Sequence, residues 1–163
     1  MWKGEVLSVH SAPEAGEPMQ SPGRARAVAG RGIEGDRYFK ETGFFSHKKG
    51  PRRQVTLFES EVLDILKRDH RLELSAEECR MNIVTRGVPL THLVGKSFRV
   101  GEATLWGLRL NEPCRHLQEI VGKRIITHLI HRCGLNAEVL EGGWIQPGDV
   151  VEECRTAIRD LKI

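Results

Sequence analysis

Ser97-Phe98-Arg99-Val100-Gly101-Glu102-Ala103-Thr104-Leu105-Trp106-Gly107-Leu108 is the stretch that decides the fold class. Two runs rich in aromatic and β-branched residues flank a two-residue Gly101-Glu102 connection. A connection that short, with glycine to supply a positive φ, reads as a β-hairpin with strands over 97–100 and 103–108. The same grammar of short strands set off by turn signals runs outward in both directions.

Towards the N-terminus, Trp2 to His10 alternates loosely and predicts a first strand. Ser11 to Gly23 holds Pro13, Gly16, Pro18, Pro22 and Gly23, a surface loop because such residues sustain neither ladder nor helix. Arg24 to Ala29 predicts a short second strand. Gly30-Arg31-Gly32-Ile33-Glu34-Gly35-Asp36-Arg37 follows, and its three glycines demand positive φ or close approach. Tyr38 to Pro51 reads as a polar, mobile loop, Arg53 to Phe58 as a buried strand, and Met81 to Thr85 as another. Ser60 to His70 carries Val62, Leu63, Ile65 and Leu66 at helical spacing, so an amphipathic helix is expected there. Ser75 and Glu78 have the spacing of a capping box.

Towards the C-terminus, Pro113 to Cys133 predicts one helix. Its apolar stripe is Ile120, Val121, Ile125, Ile126, Leu129 and Ile130, with Gly134 as its C-cap. Short strands follow over 137–140, 144–145 and 150–151, and the last dozen residues suit a terminal helix. Many short strands with few helices argue a β-barrel with helical decorations.

The 163 residues suit one domain. A formal charge of +3 falls short of a nucleic-acid footprint. No run approaches the roughly 18 apolar residues of a membrane helix, and the N-terminus lacks a signal-peptide core, so a cytoplasmic protein is expected. Cys79, Cys114, Cys133 and Cys154 form no CxxC pair and are expected as thiols in a reducing compartment. His128, His131 and Cys133 lack a fourth ligand nearby, which argues against a zinc site.

Six motifs occur in order: Gly32-Ile33-Glu34-Gly35-Asp36-Arg37; Arg53-Gln54-Val55-Thr56-Leu57; Arg80-Met81-Asn82-Ile83-Val84-Thr85-Arg86-Gly87; Leu93-Val94-Gly95-Lys96-Ser97-Phe98-Arg99-Val100-Gly101; Pro113-Cys114-Arg115-His116-Leu117; and Gly143-Trp144-Ile145-Gln146-Pro147-Gly148-Asp149. In this succession the chain resembles the MOSC family, named for the C-terminal domain of molybdenum-cofactor sulfurases, over Trp2 to Val151. Where some stand-alone relatives have His-Gly-Gly, this chain reads His47-Lys48-Lys49-Gly50. The resemblance implies a mainly β fold with peripheral helices: a closed, mostly antiparallel β-barrel of MOSC type, similar to the pyruvate kinase barrel. It implies a MOSC domain over 1–153, with 154–163 as a tail or short helix. It also implies that Cys114 is a sulfur carrier or the protein ligand to molybdenum, with Asn82 and Arg86 in the pocket region of a molybdopterin cofactor.

The residues themselves support a reactive Cys114. Pro113 suits a helix start, a helix N-terminus favours the thiolate, and Arg115 and His116 add positive charge. A thiolate either attacks a sulfane sulfur or binds a soft metal. Arg37, Arg52, Arg53, Arg80, Arg86 and Arg115 suit phosphate or oxyanion binding at one barrel mouth, with about half expected to face a ligand and Arg86 and Arg53 foremost. Asp36 either touches a pterin or closes a turn; Asn82, in mid-strand, needs partners in a ligand or in backbone.

Three functions are open. The first is a molybdenum-cofactor protein that reduces N-hydroxylated small molecules with electrons from a separate protein. The second is a persulfide carrier served by a cysteine desulfurase. The third is a non-catalytic barrel that binds anions or RNA through Lys48 to Arg53, though no aromatic-interleaved nucleic-acid motif is present.

Overall fold

The computed structural model describes residues 1–48 and 53–154. The expectations for Arg52, for Lys49-Gly50 and for a helix in the last dozen residues lie outside the described residues.

The hairpin forms where its sequence places it: β6 (Ser97–Val100) and β7 (Ala103–Leu110) pair antiparallel, with Val100 opposite Ala103 and Ser97 opposite Trp106. β7 outruns its expected end at Leu108 because its last residues pair with β8 (Leu135–Glu141), Leu110 facing Leu135. β1 (Lys3–Val9), β4 (Val55–Glu59), β5 (Ile83–Arg86) and β10 (Val150–Glu153) complete a closed barrel in the order β1-β10-β6-β7-β8-β4-β5.

The barrel is closed and mostly antiparallel, as the resemblance implies, with one parallel pair that makes it mixed. β4 and β5 pair in parallel, Leu57 beside Ile83. The cause lies in the connection: the amphipathic helix α1 (Ser60–His70) carries the chain back along the barrel, so β5 starts from the same end as β4. Helix α1 buries Val62 and Leu66 and ends at Arg71, held at φ 51°. Beyond it the Ser75–Glu78 box forms both reciprocal bonds, at 2.8 and 3.2 Å, yet they close a turn and no helix follows.

β4 is buried on both faces. Val55 and Leu57 point into the barrel with Val6, Ile83, Phe98, Leu105, Leu135 and Val151. Phe58 joins a second apolar cluster with Val62, Leu66, Cys79, Met81, Leu117, Ile125, Leu129 and Cys133. Outside the barrel, β2 (Ala25–Val28), β3 (Gly32–Ile33) and β9 (Gly143–Ile145) form a three-stranded sheet in the order β3-β2-β9.

The long helix expected over Pro113 to Cys133 is two short ones, α2 (Arg115–Val121) and α3 (Ile126–Leu129). Gly122, at φ 69°, ends α2 in the left-handed conformation that glycine adopts without steric cost. The Gln118 side chain then accepts from the backbone of Ile125 at 3.1 Å and Ile126 at 3.3 Å, starting α3 in a new direction. Leu117, Ile125 and Leu129 are buried as a result, whereas Ile120 and Ile130 of the expected stripe are exposed.

Candidate functional site

Cys114 stands where β7 ends and α2 begins. Its residue is the N-cap, in extended conformation, and Sγ accepts from the Leu117 backbone N–H at 3.4 Å. Pro113 therefore precedes the cap. The thiol is half-buried, packed against the outer apolar cluster, and faces a cavity of about 80 Å³. Arg37, Tyr38, Phe44, Phe45, Arg53, Thr56, Cys79, Arg80, Asn111 and His116 are among the residues around that cavity.

Three arginines of the sequence reading converge here with His116. Arg37 is buried, and its Nη1 donates to Asp36 at 3.1 Å. The Arg80 Nη1 donates to the Glu17 carbonyl at 2.6 Å from a residue at φ 58°. Arg53 lies over the Phe45 ring at 4.3 Å, with no hydrogen bond or ion pair among the described residues. Burial pulls the Arg53 and Arg80 guanidinium groups below their ordinary pKa, and the positive charge of Arg37 adds to this in both. They remain cations at any physiological pH. The His116 ring stacks on Phe44 at 3.7 Å, with Phe45 edge-on. Burial, then the positive charges of Arg80 and Arg37, lowers the His116 pKa, so its ring is predominantly neutral near pH 7.

Two further spaces adjoin the cleft. A polar cavity of about 680 Å³ shares Tyr38, Phe45 and Arg53 with it and adds Arg31, Phe39, Glu41, Ser46, His47 and Lys48. An open shelf of about 390 Å³ lies on the other side of Cys114, bounded by Phe44, Phe45, Arg115, His116 and Glu119. The Tyr38 to Lys48 segment lines both and is a succession of hydrogen-bonded turns. Its root is pinned by the Arg37 N–H on the Ala12 carbonyl at 2.7 Å and by Thr42 on Arg37 at 2.9 Å.

The remaining expected residues sit elsewhere or are already occupied. Asp36 is fully buried, and its carboxylate accepts from the backbone N–H of Ala12 at 3.1 Å and of Tyr38 at 3.2 Å: it closes a turn. Asn82 accepts from the Thr56 N–H at 3.1 Å and donates to the His10 carbonyl at 3.1 Å, which consumes its amide in joining β1 to β4. Arg86 is exposed at the far end of β5, opposite Glu5, away from the cleft. β5 begins beside the cleft, so each residue along it carries the side chain about 3.3 Å further off. Arg115 points to solvent and pairs with Glu119 at 2.8 Å, touching only the shelf.

Sequence reasoning passed over Arg31, Tyr38, Phe44 and Phe45. The signal available was the cluster of aromatics in an otherwise polar, glycine-flanked segment. Among the described residues no group of three His, Cys, Asp or Glu side chains can hold a metal, and no helix is long and apolar enough to cross a membrane.

No curated protein matches the chain in sequence. Solved structures do match in fold. The YUAD protein from Bacillus subtilis superposes with a TM-score of 0.77 at 20% identity, covering 93% of this chain and 97% of that one. YiiM from Geobacillus stearothermophilus gives 0.67 at 14% identity, over 93% of this chain and 75% of that one. YiiM from Escherichia coli gives 0.65 at 19% identity, over 96% and 71%. At these identities the likeness is one of fold. A family model, that of the MOSC domain, matches residues 45–152, which include β4 to β9, Cys114 and most of β10. With that match and the closed barrel together, the chain belongs to the MOSC domain family.

Proposed function

We propose that the chain binds a molybdopterin-type molybdenum cofactor, with the Cys114 thiolate as the protein's ligand to the metal. We propose further that it reduces small N-hydroxylated molecules with electrons from a separate protein. The observation that carries this reading is that Cys114 lines both a small arginine-rich cleft and an aromatic shelf, and that the cleft shares Tyr38, Phe45 and Arg53 with a cation-lined polar cavity.

The residues present fit such a cofactor. One soft sulfur donor suits molybdenum and leaves its other positions to the cofactor's own ligands. The polar cavity, about 680 Å³, has the size of a small-molecule site. Arg31, Arg53 and Lys48 outnumber its one acid, Glu41, as an anionic phosphorylated group requires. Tyr38, Phe39 and Phe45 offer faces for a flat heterocycle. When bound, the cofactor supplies two-electron transfer at the metal. Arg53, with no hydrogen bond or ion pair among the described residues and shared between the cleft and the cavity, orients the anionic part. Phe44 and His116 form a flat wall on the shelf where a planar substrate rests, and Leu117 N–H holds the Cys114 sulfur in place. Reduction of an N-hydroxylated amine consumes two electrons and two protons and releases water and the amine.

The test is metal and pterin content of the full chain and of Cys114→Ser, both purified from molybdate-supplemented cells. Molybdenum and pterin in the wild type, with molybdenum lost in the variant, are expected. A wild type devoid of both refutes the reading.

A second reading, a persulfide carrier, is favoured by the small volume at Cys114. About 80 Å³ is the share of two or three water molecules, ample for one sulfane sulfur. Incubation with cysteine and a cysteine desulfurase should then add one sulfur to Cys114 by mass spectrometry; an unmodified thiol eliminates it.

A further inference from the structure

Positive charge gathers in the cleft that Cys114 lines. Arg37, Arg53 and Arg80 line it too, and the Arg37 charge bears on both of the others, while His116 feels Arg80 and Arg37. The nearby acids are engaged. Asp36 is bonded to Arg37 at 3.1 Å and offsets part of the charge at Arg80. Glu112, which lines the cleft, accepts from the His131 backbone N–H and meets its Nδ1, each at 2.9 Å. Guanidinium groups drawn together in a half-dry cleft repel one another, and a small anion between them relieves that repulsion.

The same cleft holds a nucleophile. Burial pushes the Cys79 thiol up to about 12, so Cys79 stays protonated at neutral pH and does not compete. Cys114 is half-buried, and negative charge on its sulfur acts on Arg53, opposing the burial that lowers the Arg53 pKa. Sulfur and guanidinium are thus within electrostatic reach of each other. Among the described residues Arg53 makes no hydrogen bond or ion pair. A volume of about 80 Å³ is too small for a heterocycle of cofactor size and admits a small oxyanion. Met81 and Leu117 give the lining an apolar part, which suits a soft sulfur at one end of that anion.

We propose that Cys114 takes sulfur from small sulfonate-bearing sulfane donors, of which thiosulfate is the simplest, with Arg53 holding the sulfonate. The proposal rests on the carrier reading of Cys114 and goes beyond it by naming a free anion as the donor. In the loading step the Cys114 sulfur attacks the outer sulfur of thiosulfate. A new S–S bond forms and the bond between the two donor sulfurs breaks. Sulfite leaves with that electron pair and with the proton of the thiol, and Cys114 is left as a persulfide anion. Arg53 and Arg80 stabilise the charge that collects on the departing sulfite. The transferred sulfur keeps its sulfane oxidation level, so no external oxidant or reductant enters. In the discharge step a nucleophilic acceptor takes the outer sulfur and the Cys114 thiolate returns; cyanide, as the assay acceptor, becomes thiocyanate.

The test gives the full chain thiosulfate in one arm, and cysteine with a cysteine desulfurase in the other. It reads the mass of each cysteine peptide after alkylation, the sulfite released, and thiocyanate formed with cyanide. Thiosulfate should add one sulfur to the Cys114 peptide alone and release sulfite in equal amount, and Cys114→Ser should do neither. In Arg53→Gln the KM for thiosulfate should rise about tenfold, the worth of one charge-assisted hydrogen bond, with kcat changed far less. Arg26→Gln, exposed on β2, should keep the wild-type KM. The wild-type arms decide the matter even if a variant folds poorly. Sulfur from the desulfurase but none from thiosulfate overturns this proposal and leaves the carrier reading standing, whereas loading from neither removes both. Uptake on another cysteine, or an Arg53→Gln protein with the wild-type KM, also overturns it.

Discussion

Removing the Asn82 amide should cost the protein stability and leave its ligand chemistry in place. Asn82 is 3% exposed. Its Oδ1 accepts from the Thr56 N–H at 3.1 Å and its Nδ2 donates to the His10 carbonyl at 3.1 Å. In Asn82→Ala both backbone groups stay buried and lose these partners. The Thr56 hydroxyl loses its acceptor too, since it donates to Asn82 Oδ1 at 3.2 Å, but it still accepts from the backbone N–H of residue 82 at 3.0 Å. Each orphaned backbone group costs about 1–3 kcal/mol, so the loss should be roughly 2–6 kcal/mol. That corresponds to a fall in Tm of roughly 4–24 °C for a chain of this size. Urea denaturation at neutral pH measures it directly.

Asn82→Asp sharpens the test. Its carboxylate keeps the Thr56 bond but opposes the His10 carbonyl, whereas the protonated acid can donate to it. Its folded pKa is therefore raised above the unfolded value of about 3.9. The recovered stability is complete below that value and is lost as pH rises through the folded pKa. An Asn82→Ala protein within about 1 kcal/mol of the wild type refutes the reasoning. So does one that keeps its stability but loses a bound cofactor.

Two further outcomes follow from single residues. Gly134, at φ 91°, would place a Cβ 2.0 Å from the Leu57 carbonyl, whereas Gly122, at φ 69°, has open space around it. Gly122→Ala should thus cost only the ~1–2 kcal/mol of left-handed backbone, and Gly134→Ala distinctly more in the same thermal melts; equal losses would contradict the close approach. His10 is 1% exposed, with Nε2 on the Ser8 hydroxyl at 2.7 Å and Nδ1 on Ser21 at 2.9 Å. Burial lowers its pKa, partly offset by Glu77. Below the unfolded value of about 6.5 the unfolded chain binds more protons, so stability should fall as pH drops from there, and His10→Gln should flatten that dependence. An equally steep dependence in the variant assigns it to other groups.

Features set by neighbours in the chain were legible in advance. The Gly101-Glu102 hairpin, the stripe of α1 and the Ser75–Glu78 bonds each depend on residues a few positions apart. What the sequence concealed depends on distant partners. The parallel pairing of β4 with β5 follows from where α1 returns the chain. The break at Gly122 was hidden because Gln118 starts α3 through its side chain, which a 3.6-residue stripe does not report.

In the site, Arg37, Arg53 and Arg80 were picked for charge and do line one cleft, but charge alone did not separate them from Arg86 at the opposite end of β5. Asp36 and Asn82 have the composition of ligand contacts, yet their polar atoms meet backbone from residues 24 and 26 to 72 positions away. The Phe44–His116 stack joins segments far apart in the chain, and no local pattern announces it.

The order of strands has a consequence for a chain emerging from the ribosome. β10 fills the gap between β1 and β6, both of which precede it in the chain. Until Val150 to Glu153 leave the exit tunnel, the ring stands open with one flank of β1 and one of β6 unpaired. Closure must therefore wait until residues 150–153 have been translated. Through that interval two bare strand edges, rich in hydrogen-bonding groups, are the places where nascent copies can pair with one another.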